Sequence, residues 1–197
     1  MTLDRSQHSR LLLIRHPEVD LRFRGVCYGR SDVELSATGR QQSLVLAEFL
    51  STLPVQQIFH SGRSRTSLLA RHLARLTGLT AQQEVALLER DFGSWELRTW
   101  DAIYQQQGDE MLRMVSHPDD FRPGGGETTR ELADRVWDWY QARRVPGLTV
   151  AVTHGGPIAA CLGQLRELPI ADWPKLIPPC GGLVWVDVGQ TPLRSAT

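Results

Sequence analysis

One pattern recurs along this chain: a short apolar run stops at a polar or glycine-bearing stretch, and a helix-patterned segment follows. Leu11 to Ile14 is such a run, bounded by charge on both sides, and reads as a strand buried on both faces. Ser36-Ala-Thr-Gly39 then leads into Arg40 to Leu50, where Leu44, Leu46, Ala47 and Leu50 approximate a helical stripe starting near a cap. Val55 to Phe59 has the β-branched and aromatic character of a second strand, and Ser64 to Leu76 after it places Leu68, Leu69, Leu73 and Leu76 on one helical face. Thr149 to Thr153 repeats the unit, followed by His154-Gly-Gly-Pro157 and a helix through about Gly163, with proline favourable in its first turn. Leu183 to Val188 supplies a last strand, while Thr99 to Val115 and Thr128 to Arg143 are helical in pattern, the second carrying Leu132, Val136, Trp139 and Tyr140. Strands alternating with helices predict an α/β layered fold with a largely parallel sheet. The Gly/Pro concentrations at 122–126, 154–157 and 178–182 read as loops, so one domain over residues 1–197 is expected.

In such sheets ligands gather where strands end at their carboxyl edge, because loops and helix N-termini there point free N–H groups into one crevice. Three strand ends carry chemistry. The first gives Arg15-His16, the second leads through His60-Ser-Gly-Arg-Ser to Arg65, and the third gives Thr153-His154-Gly-Gly. A single histidine after a strand is more often a hydrogen-bonded structural residue than a nucleophile. Two histidines and two arginines at three strand ends are another matter, because charge in a partly desolvated edge needs a partner. Two guanidinium forks and two imidazoles suit one tetrahedral dianion, and a phosphoryl group is the natural occupant. The remaining histidines, His8, His60, His72 and His117, lack this context and are expected at the surface.

Composition narrows the partners. Lysine plus arginine (22) equals aspartate plus glutamate (22), so no global field exists to hold nucleic acid or an anionic membrane, and an anion must be gripped locally. The three cysteines, Cys27, Cys161 and Cys180, show no Cys-x-x-Cys spacing, which argues against both a disulfide framework and a zinc site. Met1 to Arg10 lacks the apolar core of a signal peptide and no run is long enough for a membrane span, so a cytoplasmic location is expected.

Leu12-Leu-Ile-Arg-His-Pro-Glu18 resembles the Arg-His-Gly-Glu motif of the histidine phosphatase superfamily, the phosphoglycerate mutase-like proteins. Gly25-Val-Cys-Tyr-Gly-Arg-Ser-Asp32 and Leu35-Ser-Ala-Thr-Gly-Arg-Gln41 are similar to the family's segment after the nucleophile. Ser61-Gly-Arg-Ser-Arg65 resembles its Ser-x-x-x-Arg element, and Leu88-Glu-Arg-Asp-Phe-Gly-Ser-Trp-Glu96 its acid-bearing segment. Pro123-Gly-Gly-Gly-Glu127 and Val152-Thr-His-Gly-Gly156 complete the order. The resemblance implies a three-layer α/β/α sandwich and a phosphomonoesterase that needs no metal or cofactor. It implies His16 as nucleophile, Arg15, Arg65 and His154 as the phosphoryl pocket, with His154 also catalytic, and Glu89 as proton donor. Without it, Glu89 is indistinguishable from Glu84, Asp91 or Glu96. The segment from 95 to 126 is expected to lie over the crevice and select the leaving group.

Three departures stand out. Pro17 replaces the family's glycine and removes a backbone N–H, Arg22 stands where relatives place an asparagine, and Gly62 replaces a common proline, for which a looser turn is expected. Pro17 and Arg22 motivate the alternative of a catalytically weak phospholigand-binding or protein-interaction module on the same fold, and a phosphoglycerate mutase-type phosphotransferase is a second alternative. The expected partner is a small-molecule phosphate ester, with neither nucleic acid nor membrane, and a homodimer is compatible with the chain. The stretch Gly25 to Asp32 with Arg-His-Pro is similar to bacterial α-ribazole phosphatases of cobalamin biosynthesis, and Tyr28, Trp95 and Trp100 suit stacking on a flat base.

Overall fold

A computed structural model describes residues 9–143 and 146–187. In chain order these form β1 (Ser9–Arg15), β2 (Val26–Cys27), α1 (Ala37–Ser51), β3 (Val55–His60), α2 (Ser64–Thr77) and β4 (Ala81–Gln83). Then come β5 (Arg98–Thr99), α3 (Trp100–Gln107), α4 (Arg113–Ser116), α5 (Thr129–Gln141), β6 (Gly147–Thr153), α6 (Gly155–Leu165) and β7 (Leu183–Asp187). The main sheet runs β4-β3-β6-β1-β7, and β2 and β5 pair separately. β1, β3, β4 and β6 are parallel and only β7 is antiparallel.

Alternation along the strands builds the layers. Leu12 and Ile14 of β1, Ile58 of β3, and Val150 and Val152 of β6 point to one face, where α1 and α2 cover them with Ala47, Leu50, Leu69 and Leu73. Leu11, Leu13, Phe59 and Ala151 point to the other, beneath Leu132, Val136, Trp139 and Tyr140 of α5 and Ile158 of α6. The result is the expected α/β/α sandwich.

Local chemistry sets the helix limits. Ser36 caps α1, its hydroxyl accepting from the Gly39 amide, and Thr128 and Glu131 form a reciprocal capping box on α5. The buried stripe of α1 is Gly39, Ser43, Ala47 and Leu50, while Leu44, expected inside, is 41% exposed. The reason is close approach: a Cβ on Gly39 would lie 1.9 Å from the Glu18 carbonyl oxygen, so small residues face the layer there. On α2, Leu69 and Leu73 are buried but Leu76 is exposed, and the inner face of its first turn carries Arg65 and Thr66. The single helix expected over 99–115 is broken: α3 stops at Gly108, whose φ of 55° favours glycine, and a 3-10 stretch, Gly108–Leu112, precedes the single turn of α4. Trp95 does not reach the crevice, because it is buried with Cys27 and Ile103 in a small separate core. Val188 and His8 lie outside the described residues. Among the described residues no helix is long and apolar enough to cross a membrane.

Candidate active site

Strand register brings the two histidines together. Arg15 pairs with Thr153 and His60 with Val152, so His16, Ser61 and His154 lie just beyond one edge of the sheet. The His16 amide donates to the Thr153 carbonyl at 2.9 Å, and the rings of His16 and His154 sit 5.4 Å apart at 62°. His16 Nδ1 lies 2.8 Å from the Pro17 carbonyl. A carbonyl only accepts, so Nδ1 carries the proton and Nε2 the lone pair. Pro17 thus lacks an N–H but supplies the group that sets the tautomer. Burial foremost, then the Arg65 charge, lowers the His16 pKa to about 3 against the opposing pull of the Pro17 carbonyl, with Arg15 adding a little. The ring is neutral at neutral pH, the form a nucleophile needs.

A hydroxyl chain orients His154. Thr66 Oγ1 donates to the Arg63 carbonyl at 2.9 Å. Ser61 must therefore donate to Thr66, at 2.9 Å, and accept from His154 Nε2, at 2.8 Å. His154 Nδ1 is buried without a partner in the chain. Burial foremost, then Arg65 and His16, holds the His154 pKa well below 6.5.

The arginines differ. Arg15 Nη1 donates to the Pro178 carbonyl at 2.7 Å, and its Nε is buried without a partner. Arg65 is fully buried, with Nη1 on the Ser31 carbonyl at 2.7 Å and Nη2 on the Gly29 carbonyl at 2.6 Å, leaving only Nε without a partner. The turn that receives Arg65 is itself held by Glu96, which accepts from the Arg30 amide at 2.8 Å, the Ser31 amide at 2.7 Å and the Ser31 hydroxyl. Nothing in the sequence separated Glu96 from its acidic neighbours, yet it supports the whole arginine seat.

Glu89 Oε1 accepts from the Arg90 amide at 2.8 Å, and Oε2 from the Gly156 amide in the first turn of α6 at 3.1 Å. A Cβ on Gly156 would come 2.2 Å from Oε1, so glycine is required for this approach. The Glu89 carbonyl accepts from Arg135 Nη2 at 3.1 Å, and Arg135 grips buried Glu127 through Nε at 2.7 Å and Nη2 at 2.9 Å. Glu84 pairs with Arg143 and Asp91 with Arg30. Glu89 is the carboxylate that lines the cavity, and beside it is Arg90, which the sequence reading did not single out. Arg90 has a buried Nη1 without a partner, and burial lowers its pKa.

One departure finds its place in the fold, and two expectations need correction. Arg22 is exposed and pairs with Glu34 and, at 3.6 Å, with Asp20, so it takes no part in the cavity. Gly62 has φ +87°, which proline cannot adopt, and a Cβ there would meet the Gln83 side chain at 2.6 Å. Its turn is therefore a different one, not a looser version. His60 is buried, with Nδ1 accepting from the Gly62 amide at 3.0 Å.

The cavity measures about 380 Å³, with Arg15, His16, Glu89 and Arg90 among its polar residues and Tyr28, Phe92, Trp100 and Met114 among its walls. Among the described residues no group of three His, Cys, Asp or Glu side chains could hold a metal ion.

A family model described as histidine phosphatase superfamily (branch 1) matches residues 11–194. The chain belongs to the histidine phosphatase superfamily. Among curated relatives of this histidine phosphatase, glucosyl-3-phosphoglycerate phosphatase of Mycobacterium tuberculosis is 31% identical over 180 residues, 85% of this chain and 79% of that protein. A probable phosphoglycerate mutase of Salmonella typhi is 32% identical over 124 residues, 63% of this chain and 58% of the relative. A solved mycobacterial glucosyl-3-phosphoglycerate phosphatase in complex with VO3 superposes with a TM-score of 0.78 at 28% identity, covering 90% of each chain. The α-ribazole phosphatase from Shigella flexneri has a TM-score of 0.78 at 23% identity, covering 92% of this chain and 91% of that one, a likeness of fold.

The neutral His16 of this histidine phosphatase couples stability to pH. Its pKa is about 3 in the folded chain and returns to 6.5 on unfolding, so between those values the unfolded state binds more protons. Its stabilisation is fully present above about pH 6.5 and is lost as pH falls from there towards 3. At about pH 4.5 the loss from His16 is about 2–3 kcal/mol. Urea unfolding at about pH 7 and about pH 4.5 should show the gap between the two shrink by that amount in His16→Gln. An unchanged gap would mean that His16 is not held neutral.

Proposed function

We propose that this histidine phosphatase hydrolyses small phosphate monoesters through a phosphohistidine on His16. The observation that carries this reading is the set of buried nitrogens without protein partners, Arg15 Nε, Arg65 Nε and His154 Nδ1, around a neutral imidazole. Buried polar groups are costly when unpaired, and a tetrahedral anion would accept from both arginine nitrogens and, by its charge, draw a proton onto His154 Nδ1 so that it donates as well. The names of the relatives support the same class of reaction.

In the first step the His16 Nε2 lone pair attacks phosphorus and the P–O ester bond breaks. Its electron pair leaves on the alcohol oxygen, which takes a proton from the Glu89 carboxyl. Arginine and protonated His154 stabilise the charge spread over the phosphoryl oxygens. In the second step Glu89 takes a proton from water, the water oxygen bonds to phosphorus, and the P–N bond breaks to return its pair to Nε2. Inorganic phosphate leaves. Pro17 keeps the tautomer-setting carbonyl and Arg22 stands outside the cavity, so neither departure favours the non-catalytic alternative.

The finer reading is α-ribazole 5′-phosphate, in cobalamin biosynthesis and in the cytoplasm. It rests on the Gly25 to Asp32 segment and on Tyr28, Phe92 and Trp100 as walls for a flat base. Part of the 95–126 segment, through Trp100, Met114 and Val115, lines the cavity and would cover that base. Incubation with ³²P-labelled ester followed by alkaline quench should leave acid-labile label on His16. No label in single-turnover conditions, with product still formed, would overturn the covalent route. A preference for glucosyl-3-phosphoglycerate over α-ribazole 5′-phosphate would remove the finer reading alone.

A further inference from the structure

We propose that the cavity beyond the phosphoryl seat is an apolar leaving-group subsite whose far wall, Ile170 and Trp173, sets the length of the alcohol it accepts. On the phosphatase reading, the favoured substrates are monoesters of alcohols bearing an apolar ring. Past Glu89 and Arg90 the walls include Met114, Val115, Leu132 and Ala159, and Ile170 and Trp173 line it from the connection between α6 and β7. Thr129 also lines it, with its hydroxyl committed to the Met114 carbonyl at 2.5 Å. A polyol entering here exchanges hydration for side chains that return no hydrogen bonds, whereas a ring gains by burying apolar surface. About 380 Å³ falls within the range of pockets that enclose whole ring-bearing ligands, roughly 300–1,000 Å³.

The far wall is thin and unequally fixed. Trp173 is buried, its Nε1 donates to the Leu168 carbonyl at 3.0 Å, and a Cβ on Gly163 would lie 2.1 Å from that nitrogen. The indole is therefore locked against α6. Ile170 is half-buried and has no such anchor. Behind the pair lies a second cavity of about 340 Å³, which the same two side chains also line. Shortening Ile170 would open one cavity towards the other.

Three primary-alcohol esters of similar leaving-group basicity test the subsite: 2-phenylethyl phosphate, glycerol 3-phosphate and 3-phosphoglycerate. The first should exceed both others in kcat/KM by roughly tenfold or more, mainly through KM, because apolar contact is made in ground and transition states alike. In Ile170→Ala the ratio of 4-phenylbutyl to 2-phenylethyl phosphate should rise several-fold. In Met114→Gln the ratio of 2-phenylethyl to glycerol 3-phosphate should fall. Each ratio is read on one preparation, so partial loss of folded protein cancels. Glycerol 3-phosphate or 3-phosphoglycerate equalling the phenylethyl ester would overturn this inference and leave the phosphatase standing, the latter outcome pointing to Arg90 as a carboxylate clamp. Turnover of none of the esters, with no label on His16, would remove the phosphatase reading and this inference with it.

Discussion

His16→Ala is expected to lower turnover of p-nitrophenyl phosphate by roughly 10⁴-fold or more, to near the level of the assay blank. The size of the effect follows from geometry. His16 is 1% exposed, with its Nε2 lone pair set by the Pro17 carbonyl, and among the described residues no other neutral nitrogen combines this orientation with a place in the cavity lining. His154 is held through Nε2 by Ser61 and, on the proposed mechanism, carries a proton on Nδ1 against the phosphoryl oxygens, so it has no lone pair with which to step in. The comparison is with Arg22→Ala, an exposed residue outside the cavity that should leave the rate unchanged. Circular dichroism on both variants excludes unfolding as the cause. Near wild-type turnover in a folded His16→Ala protein would sink the mechanism.

Glu89→Gln should lower hydrolysis of an alkyl ester such as ribose 5-phosphate by roughly 10²-fold or more while affecting p-nitrophenyl phosphate much less. A basic alkoxide needs a proton as it departs, and a nitrophenolate does not. The structure adds a complication and its remedy. Both Glu89 oxygens accept from backbone amides, those of Arg90 and Gly156, and glutamine offers one acceptor for the two donors. One amide would then face an NH₂ group, at a cost of about 1–3 kcal/mol. That cost burdens both substrates, so the ratio between them isolates the missing proton. Exposed Glu48→Gln is the neutral comparison. Glu96→Gln is not, because it would disturb the turn that seats Arg65. Equal losses on both esters in Glu89→Gln would give Glu89 a structural role only.

The sequence by itself determined the three central strands, the alternation of strand with helix and the strand ends at which chemistry collects, whereas the short strands β2, β4 and β5 carried no legible pattern. Leu11 to Ile14, Val55 to Phe59 and Thr149 to Thr153 all became central strands, because apolar runs of that length have no stable place except between two covered faces. Arg15, His16 and His154 were legible for the same reason, each following such a run within a residue or two. What tertiary structure alone decided lies between segments distant in the chain. Ser31 and Glu96 are 65 residues apart, and Glu89 and Gly156 are 67 apart. Only the family resemblance separated Glu89 from Glu84, Asp91 and Glu96 in the sequence, and its physical distinction, the α6 N-terminus beside it, is a tertiary fact. Arg65 looked free to grip a substrate, but the folded chain spends its fork on the Gly29 and Ser31 carbonyls and leaves Nε. Ile170 and Trp173 carried no local signal as cavity walls, since only the packing of their turn against Gly163 brings them to the site. Periodicity reports which face of an element is buried, whereas a site is set by which elements meet there, and that is decided only when the chain closes on itself.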